Sequence, residues 1–398
     1  MKKNTLCWLF ILWGFVANAQ TFLSENAIIS LLTSTPSDYA VYTLYGHTSI
    51  RVRDSVATNS TIIDYVFNYG TFDDSQTNFE YKFARGETDY MLAFYDYKIF
   101  AGEREYLNCN VYEQVLNLTL QEMQDLYWAL INNARQENRS YRYNYFFDNC
   151  ATRPAQLIEQ IIQGQIIYQE NPAANKTFRD IINYCTRDNA WLTFGCDLAL
   201  GLPTDRVVTF RESFFIPEYL YKAYSSAQIV HPDGTQRPLV SATYILREKT
   251  NDEHTSKTLF TPLGCSLLLL IVVLSITWIE WRGKKYFRSV DCSLFFIAGI
   301  AGCIIFFLGF LSEQPCTWPN ISIGWLHPFH LLGVVFFAVK KWNKAAYIYH
   351  FINFAALLLM SLAWIFIPQH LNMAFIPLIT VLLIRSGYCL MRKKLRFR

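Results

Sequence analysis

The sequence predicts an α+β exported domain followed by an all-α bundle of about five transmembrane helices. Three observations carry this. The first residues, MKKNTLCWLFILWGFVANAQ, join two lysines, an apolar stretch and Ala17-Asn18-Ala19, the three parts of a secretory signal peptide. Up to about Lys257 the chain is polar and aromatic-rich, with strand-like and helix-like segments interleaved. Beyond it, five apolar runs at about 259–281, 289–312, 323–339, 345–367 and 371–391 each suit a bilayer core of about 30 Å. The third run is the shortest and holds His327, Pro328 and His330.

Cleavage after Ala19 would make residues 1–19 a signal peptide, with Gln20 as the new N-terminus. Cys7 lies within the apolar stretch, so it is not a lipid-accepting cysteine. Residues 24–36 place apolar side chains at helical spacing after Ser24 and are expected to form a short amphipathic helix ending near Pro36. Residues 41–54 and 61–73 are rich in β-branched and aromatic residues and predict two strands joined by a polar turn. Residues 111–118 predict another strand. Thr119 and Glu122 then make a capping box for a helix running to about Asn133.

An aromatic strand is expected over 141–147. Leu157, Ile158, Ile161 and Ile162 have the spacing of a helix packed on one face, with Pro154 in its first turn and Gly164 just past its end. Residues 20–164 thus hold the candidate catalytic domain. Residues 165–258 read as an accessory region and linker, with a hairpin around Asp233-Gly234.

Charge between the apolar runs sets their orientation. The segments 282–288 and 340–344 carry four and three basic residues and the C-terminal tail carries five, whereas 313–320 and 368–372 carry no Lys or Arg. Basic loops stay in the cytoplasm, which puts residues 20–258 outside and the C-terminus of 259–398 inside. The formal net charge of +3 is an orientation signal, and no nucleic-acid partner is implied.

Cys150 stands where the aromatic strand gives way to the helix. A helix N-terminus favours a thiolate, which makes this cysteine a candidate nucleophile. The competing role is a disulfide, because the exported side can be oxidising. That side holds Cys109, Cys150, Cys185, Cys196 and Cys316, an odd number, with Cys185 and Cys196 the candidate pair. A nucleophilic cysteine needs a base. Of the exported histidines, His254 lies in the linker and His231 beside a hairpin turn, which leaves His47, in LYGHTSIRV. No zinc-ligand spacing, phosphate-binding glycine loop or G-x-S-x-G is present, so neither metal nor cofactor is expected.

An early-strand histidine, followed about a hundred residues later by Asn-Cys opening a helix, resembles the circularly permuted papain-like (NlpC-type) fold. The phrases YTLYGHTSIRV, VFNYGTFD, KFARGETDYML, ENRSYRYNYFFDNCATRP and WLHPFHLL resemble the Lnb-like family of lipoprotein N-acyltransferases over nearly the whole chain. The resemblance implies Cys150 as nucleophile and His47 as general base, with Asn68, in the phrase VFNYG, orienting the imidazole from the following strand and Asp64 as the alternative. Asn149 and Asp148 are oxyanion or helix-cap candidates. Arg85, Asp89, Tyr90, His327 and His330 are candidates for lining a substrate entrance. It further implies a bacterial inner-membrane protein with a periplasmic catalytic domain. A phospholipid or glyceride lipid would be the acyl donor and diacylglyceryl lipoproteins the acceptors. The competing functions are an anchored NlpC-type cell-wall amidase or peptidase and a non-catalytic lipid-binding protein.

Overall fold

The computed structural model describes residues 22–55, 62–73, 75, 77–250 and 260–395. The signal peptide, most of the turn after Asp54 and the linker at 251–258 lie outside the described residues. Seven strands form one antiparallel sheet: β1 (Ile28–Ser34), β2 (His47–Asp54), β3 (Ile63–Thr71), β4 (Asp89–Asp96), β5 (Val111–Leu116), β6 (Ser140–Arg142) and β10 (Val240–Arg247). Their spatial order is β10-β5-β1-β2-β3-β4-β6.

The helix expected over 24–36 is instead β1, near the middle of this sheet. Ile29 and Leu31 join the core on one face and Leu32 the core on the other. A strand buried on both faces shows no polar alternation, so a short apolar run cannot be told from a helix by periodicity. The aromatic strand expected over 141–147 is shorter than its composition suggests. It ends at Arg142, because Asn144 Oδ1 accepts the N–H groups of Phe146 and Phe147 and turns the chain.

Between the strands lie α1 (Phe79–Arg85), α2 (Tyr97–Tyr106), α3 (Leu120–Ala134) and α4 (Thr152–Ile161). The capping box at Thr119 and Glu122 starts α3. Leu126 and Leu130 of α3 and Ala155 and Ile158 of α4 pack with Ile50, Val52 and Phe67 on one face of the sheet, while Phe100 of α2 covers the other. Then follow β7 (Gln165–Ile167), α5 (Phe178–Thr186), α6 (Ala190–Ala199), α7 (Pro217–Ser226), β8 (Gln228–Val230) and β9 (Gln236–Pro238). β8 and β9 form the expected hairpin. The described part of 165–258 does not stand apart from the sheet, since β10 pairs with β5 along an edge that β5 alone would leave open.

Five helices among the described residues are long and apolar enough to cross a membrane. They are α8 (Pro262–Gly283), α9 (Arg288–Phe310), α10 (Phe329–Ala338) with the turn that precedes it, α11 (Asn343–Leu362) and α12 (Phe375–Leu395). At one end of the bundle, fully buried Arg385 of α12 pairs with Glu280 of α8 and Asp291 of α9. Charges this deep persist only when paired.

The sheet domain docks on the opposite end. Glu313 N donates to Arg85 O at 2.7 Å, Gly201 N to Cys316 O at 2.8 Å, and Asn372 Nδ2 to Asp197 Oδ2 at 2.8 Å. Both bundle loops that it touches, 313–320 and 368–372, are the ones without Lys or Arg. Trp191 Nε1 also donates to Phe260 O, next to the start of α8. Docking and loop charge agree on which end faces outward.

Candidate active site

His47 opens β2 directly after Gly46. Gly46 has φ of 75°, and a Cβ there would lie 2.7 Å from Ser34 O, so only glycine lets the chain enter β2 this close to β1. On β3, Asn68 is 7% exposed and its Oδ1 meets His47 Nε2. Ser49 Oγ donates to the same oxygen at 3.1 Å. Asn68 Nδ2 donates to Tyr95 OH at 2.8 Å, and Tyr95 OH donates to Glu103 Oε2 at 3.3 Å. With its nitrogen committed to Tyr95, the amide can offer only its oxygen to the imidazole. Nε2 therefore carries the proton, and Nδ1 is the basic nitrogen.

Cys150 is brought to the same place from the other side of the sequence. Asn149 makes the turn: its Oδ1 accepts the N–H groups of Ala151 and Thr152, and its Nδ2 donates to Tyr145 O and Phe215 O. Both amide hydrogens are used, so Asn149 caps α4 and has no side-chain donor left for an oxyanion. The Thr48 backbone N–H, one residue along from His47, is hydrogen-bonded to the Cys150 sulfur. Gly70 of β3 closes the other side. It has φ of 85°, and a Cβ there would come 3.2 Å from Cys150 Cβ.

Burial dominates the electrostatics. It pushes the Cys150 thiol up to about 11, against the Thr48 N–H and the Arg104 cation, which favour the thiolate. It lowers His47 to about 3, with Arg104 adding to the effect and the Asn68 hydrogen bond opposing it. The thiolate expected from the helix start is thus not the resting form, because burial costs more than the helix end and nearby cation return. At neutral pH the thiol and the imidazole are both neutral.

Neither Arg104 nor Tyr95 was singled out by the sequence, which carries no signal for them beyond a GERE charge run. Arg104 is 5% exposed, pairs with Glu103 at 3.1 Å and lies over the Phe100 ring, and its Nε has no hydrogen-bond partner. A cavity of about 500 Å³ is lined by His47, Asn68, Gly70, Phe72, Tyr95 and Arg104 among others.

The other candidates lie as follows. Asp64 is held by both arms of Arg51, at 2.7 and 2.8 Å, and does not orient His47. Asp148 pairs with Arg153, which stacks on Tyr141. Arg85 pairs with Glu87 and Asp89 with Arg142. Tyr90 is buried, stacked on Tyr143 at 4.0 Å. Its hydroxyl is pushed up by burial first and then by the nearby Cys150 charge. His327 and His330 stack on each other at 3.9 Å within the bundle, where the ring nitrogens of His330 meet Trp325 O and Tyr349 OH. They do not line the cavity. Cys185 and Cys196 are free thiols, as is every described cysteine.

No curated protein and no solved structure matches this chain. Two family models do. The Lnb N-terminal periplasmic domain matches residues 19–184 and the Lnb transmembrane domain matches residues 253–395. Between them they take in His47, Asn68, Cys150 and all five apolar helices. The chain belongs to the Lnb family, as a multi-pass membrane protein with a periplasmic α+β domain.

Proposed function

We propose that the protein is an inner-membrane lipoprotein N-acyltransferase that works through a thioester on Cys150. The observation that carries this is the Cys150 sulfur on the Thr48 backbone N–H, one residue along from His47, whose Nε2 is fixed by Asn68, in a domain docked on the outward end of the bundle. The papain-like character of the fold and removal of residues 1–19 belong to the same reading.

In the first half-reaction Cys150 Sγ attacks the ester carbonyl of a membrane lipid while His47 Nδ1 takes the thiol proton. Attack and proton transfer are concerted, because the thiol is not ionised beforehand. The ester C–O bond breaks, the departing lysolipid oxygen recovers the proton from His47, and the acyl group remains as a thioester. In the second, the neutral α-amine of a diacylglyceryl-cysteine attacks the thioester. His47 takes a proton from the nitrogen and passes it to the departing sulfur as the C–S bond breaks, which restores the thiol and leaves an amide. The Thr48 and Cys150 backbone N–H groups and the nearby Arg104 cation favour negative charge at the sulfur and so stabilise charge that builds up beside it. Both substrates are lipids, so a site on the outer end of the bundle spares either from passing into water.

The test is direct. Purified full-length protein given phospholipid labelled in its acyl chain should acquire a hydroxylamine-labile adduct on Cys150. A diacylglyceryl peptide with a free N-terminal amine should discharge the adduct as N-acyl peptide, and an N-acetylated peptide should not. Cleavage of cell-wall peptides with no label on Cys150 would favour the amidase reading.

A further inference from the structure

A run of aromatic rings leads from the cavity onto α1, and α1 is fastened to the bundle. Phe72, on the cavity wall just past β3, packs against Tyr42 at 5.3 Å and against Tyr90 at 5.0 Å. On its other side it stacks on Phe79 of α1, with centroids 5.3 Å apart and planes 18° apart. Phe79 continues to Phe83, one turn along the same helix face. Tyr81 of the same helix reaches Phe307 of α9 at 5.8 Å. The end of α1 is fastened to the loop that follows α9: Ser312 Oγ donates to Ala84 O and Gln314 Nε2 to Phe83 O, both at 2.6 Å.

These rings are not sealed in a core. Tyr42 is 57% exposed, Tyr81 52% and Phe83 41%. Connected exposed aromatic surface of this kind has a use, since a soluble domain would otherwise cover it. The run approaches, through α1, the outward end of α9, an apolar helix of membrane-spanning length that exposes Phe306 and Phe310 with Leu311 just past its end, so a lipid tail is the apolar group at hand there. The run ends in the cavity that holds His47.

We propose that the rings of Tyr42, Phe72, Phe79 and Phe83 form the route along which the fatty acyl chain of a membrane lipid runs from the bilayer to Cys150. This rests on the acyl-transfer reading above. The chain lies on apolar rings throughout, so its ester carbonyl reaches the thiol without exposing the tail to water.

The experiment uses full-length protein in nanodiscs of phosphatidylethanolamine and phosphatidylglycerol. Acyl-adduct formation on Cys150 is compared for a labelled oleoyl phospholipid and for p-nitrophenyl acetate, whose acyl part is too short to use the route. The Phe79→Ser, Phe83→Ser double variant should slow the oleoyl reaction by about tenfold or more, since two apolar supports are lost. The acetate reaction should stay within about twofold, and Phe79→Leu should restore most of the oleoyl rate. Equal rates for double variant and wild type on oleoyl lipid would overturn the route and leave the thioester reading intact. Wild type that takes up neither acyl group would instead sink the thioester reading. If the double variant loses both reactions through misfolding, crosslinking to the wild type decides. A phospholipid with a diazirine in its tail should crosslink within residues 72–90, and crosslinks confined to 262–395 would overturn the route.

Discussion

His47 and Asn68 face each other across the neighbouring strands β2 and β3, with imidazole Nε2 on amide Oδ1. Tyr95 holds the other end of that amide, so the tautomer of the imidazole is set by the Asn68 and Tyr95 side chains together. Asn68→Ala should slow Cys150 acylation by roughly tenfold to a hundredfold, the scale of a mispositioned general base. Asp64→Asn should keep the rate within about threefold but lower stability by about 1 kcal/mol, because Asp64 holds Arg51 and is partly exposed. Labelling kinetics and thermal melts of the two variants check the pair, and the reverse ranking would hand the orienting role to Asp64.

In the sequence only the phrase VFNYG favours Asn68 over Asp64, and spacing does not separate them. Asp64 and Asn68 share a face of β3, since residues two and four apart point the same way. Register separates them. Asp64 lies opposite Arg53, and Phe67 opposite Ile50, so the His47 end of β2 is level with the Asn68 end of β3. His47 and Cys150 were legible as candidates, because a histidine in a strand and a cysteine at a helix start are local signals. So were the five spans, which need only apolar length. β1 was not, being buried on both faces. Nor was the ion cluster, because Glu280 and Arg385 meet across 105 residues of sequence.

The pH dependence should divide by half-reaction. His47 must be neutral to accept a proton, and with its folded value lowered to about 3 it stays neutral well below its usual range. Single-turnover acylation of Cys150 should therefore be nearly flat between about pH 5 and about pH 8. Transfer to a peptide should rise with pH over the same interval, since the amine has a reference pKa of about 7.7–8.0. A drop in acylation centred near about 6.5, the ordinary histidine value, would mean that His47 is solvated.

Stability should follow the same group. Because the folded value is depressed, the stability that neutral His47 contributes is present above its unfolded value of about 6.5 and is lost as pH falls toward about 3. Denaturant midpoints should fall between about pH 7 and about pH 4, and less steeply in His47→Gln. Equal slopes in both proteins would contradict the burial of a neutral ring.

Gly70 offers a test of packing at the thiol. In Gly70→Ala the new methyl would meet Cys150 Cβ at 3.2 Å, on a backbone with φ of 85°. Acylation should drop by about tenfold or more while the fold survives at a cost of about 1 kcal/mol, since small displacements at a reacting atom are costly in rate. Activity near wild type would show that Cys150 has room to move.

The fold also predicts a topology and what holds it. A reporter that works only in the periplasm should be active when fused near residue 252 and inactive after Arg398. Arg385→Met should leave Glu280 and Asp291 buried without their cation, costing about 3–5 kcal/mol and lowering accumulation in the membrane. Reporter activity at both positions would mean an even number of spans.

Mass spectrometry of lipoprotein N-terminal peptides tests the central claim in cells. Cells lacking this protein, complemented with wild type, should show N-acylated diacylglyceryl-cysteine. With Cys150→Ala or His47→Ala at equal membrane levels they should show only the free amine. N-acylation persisting at the wild-type level with Cys150→Ala would contradict the thioester account.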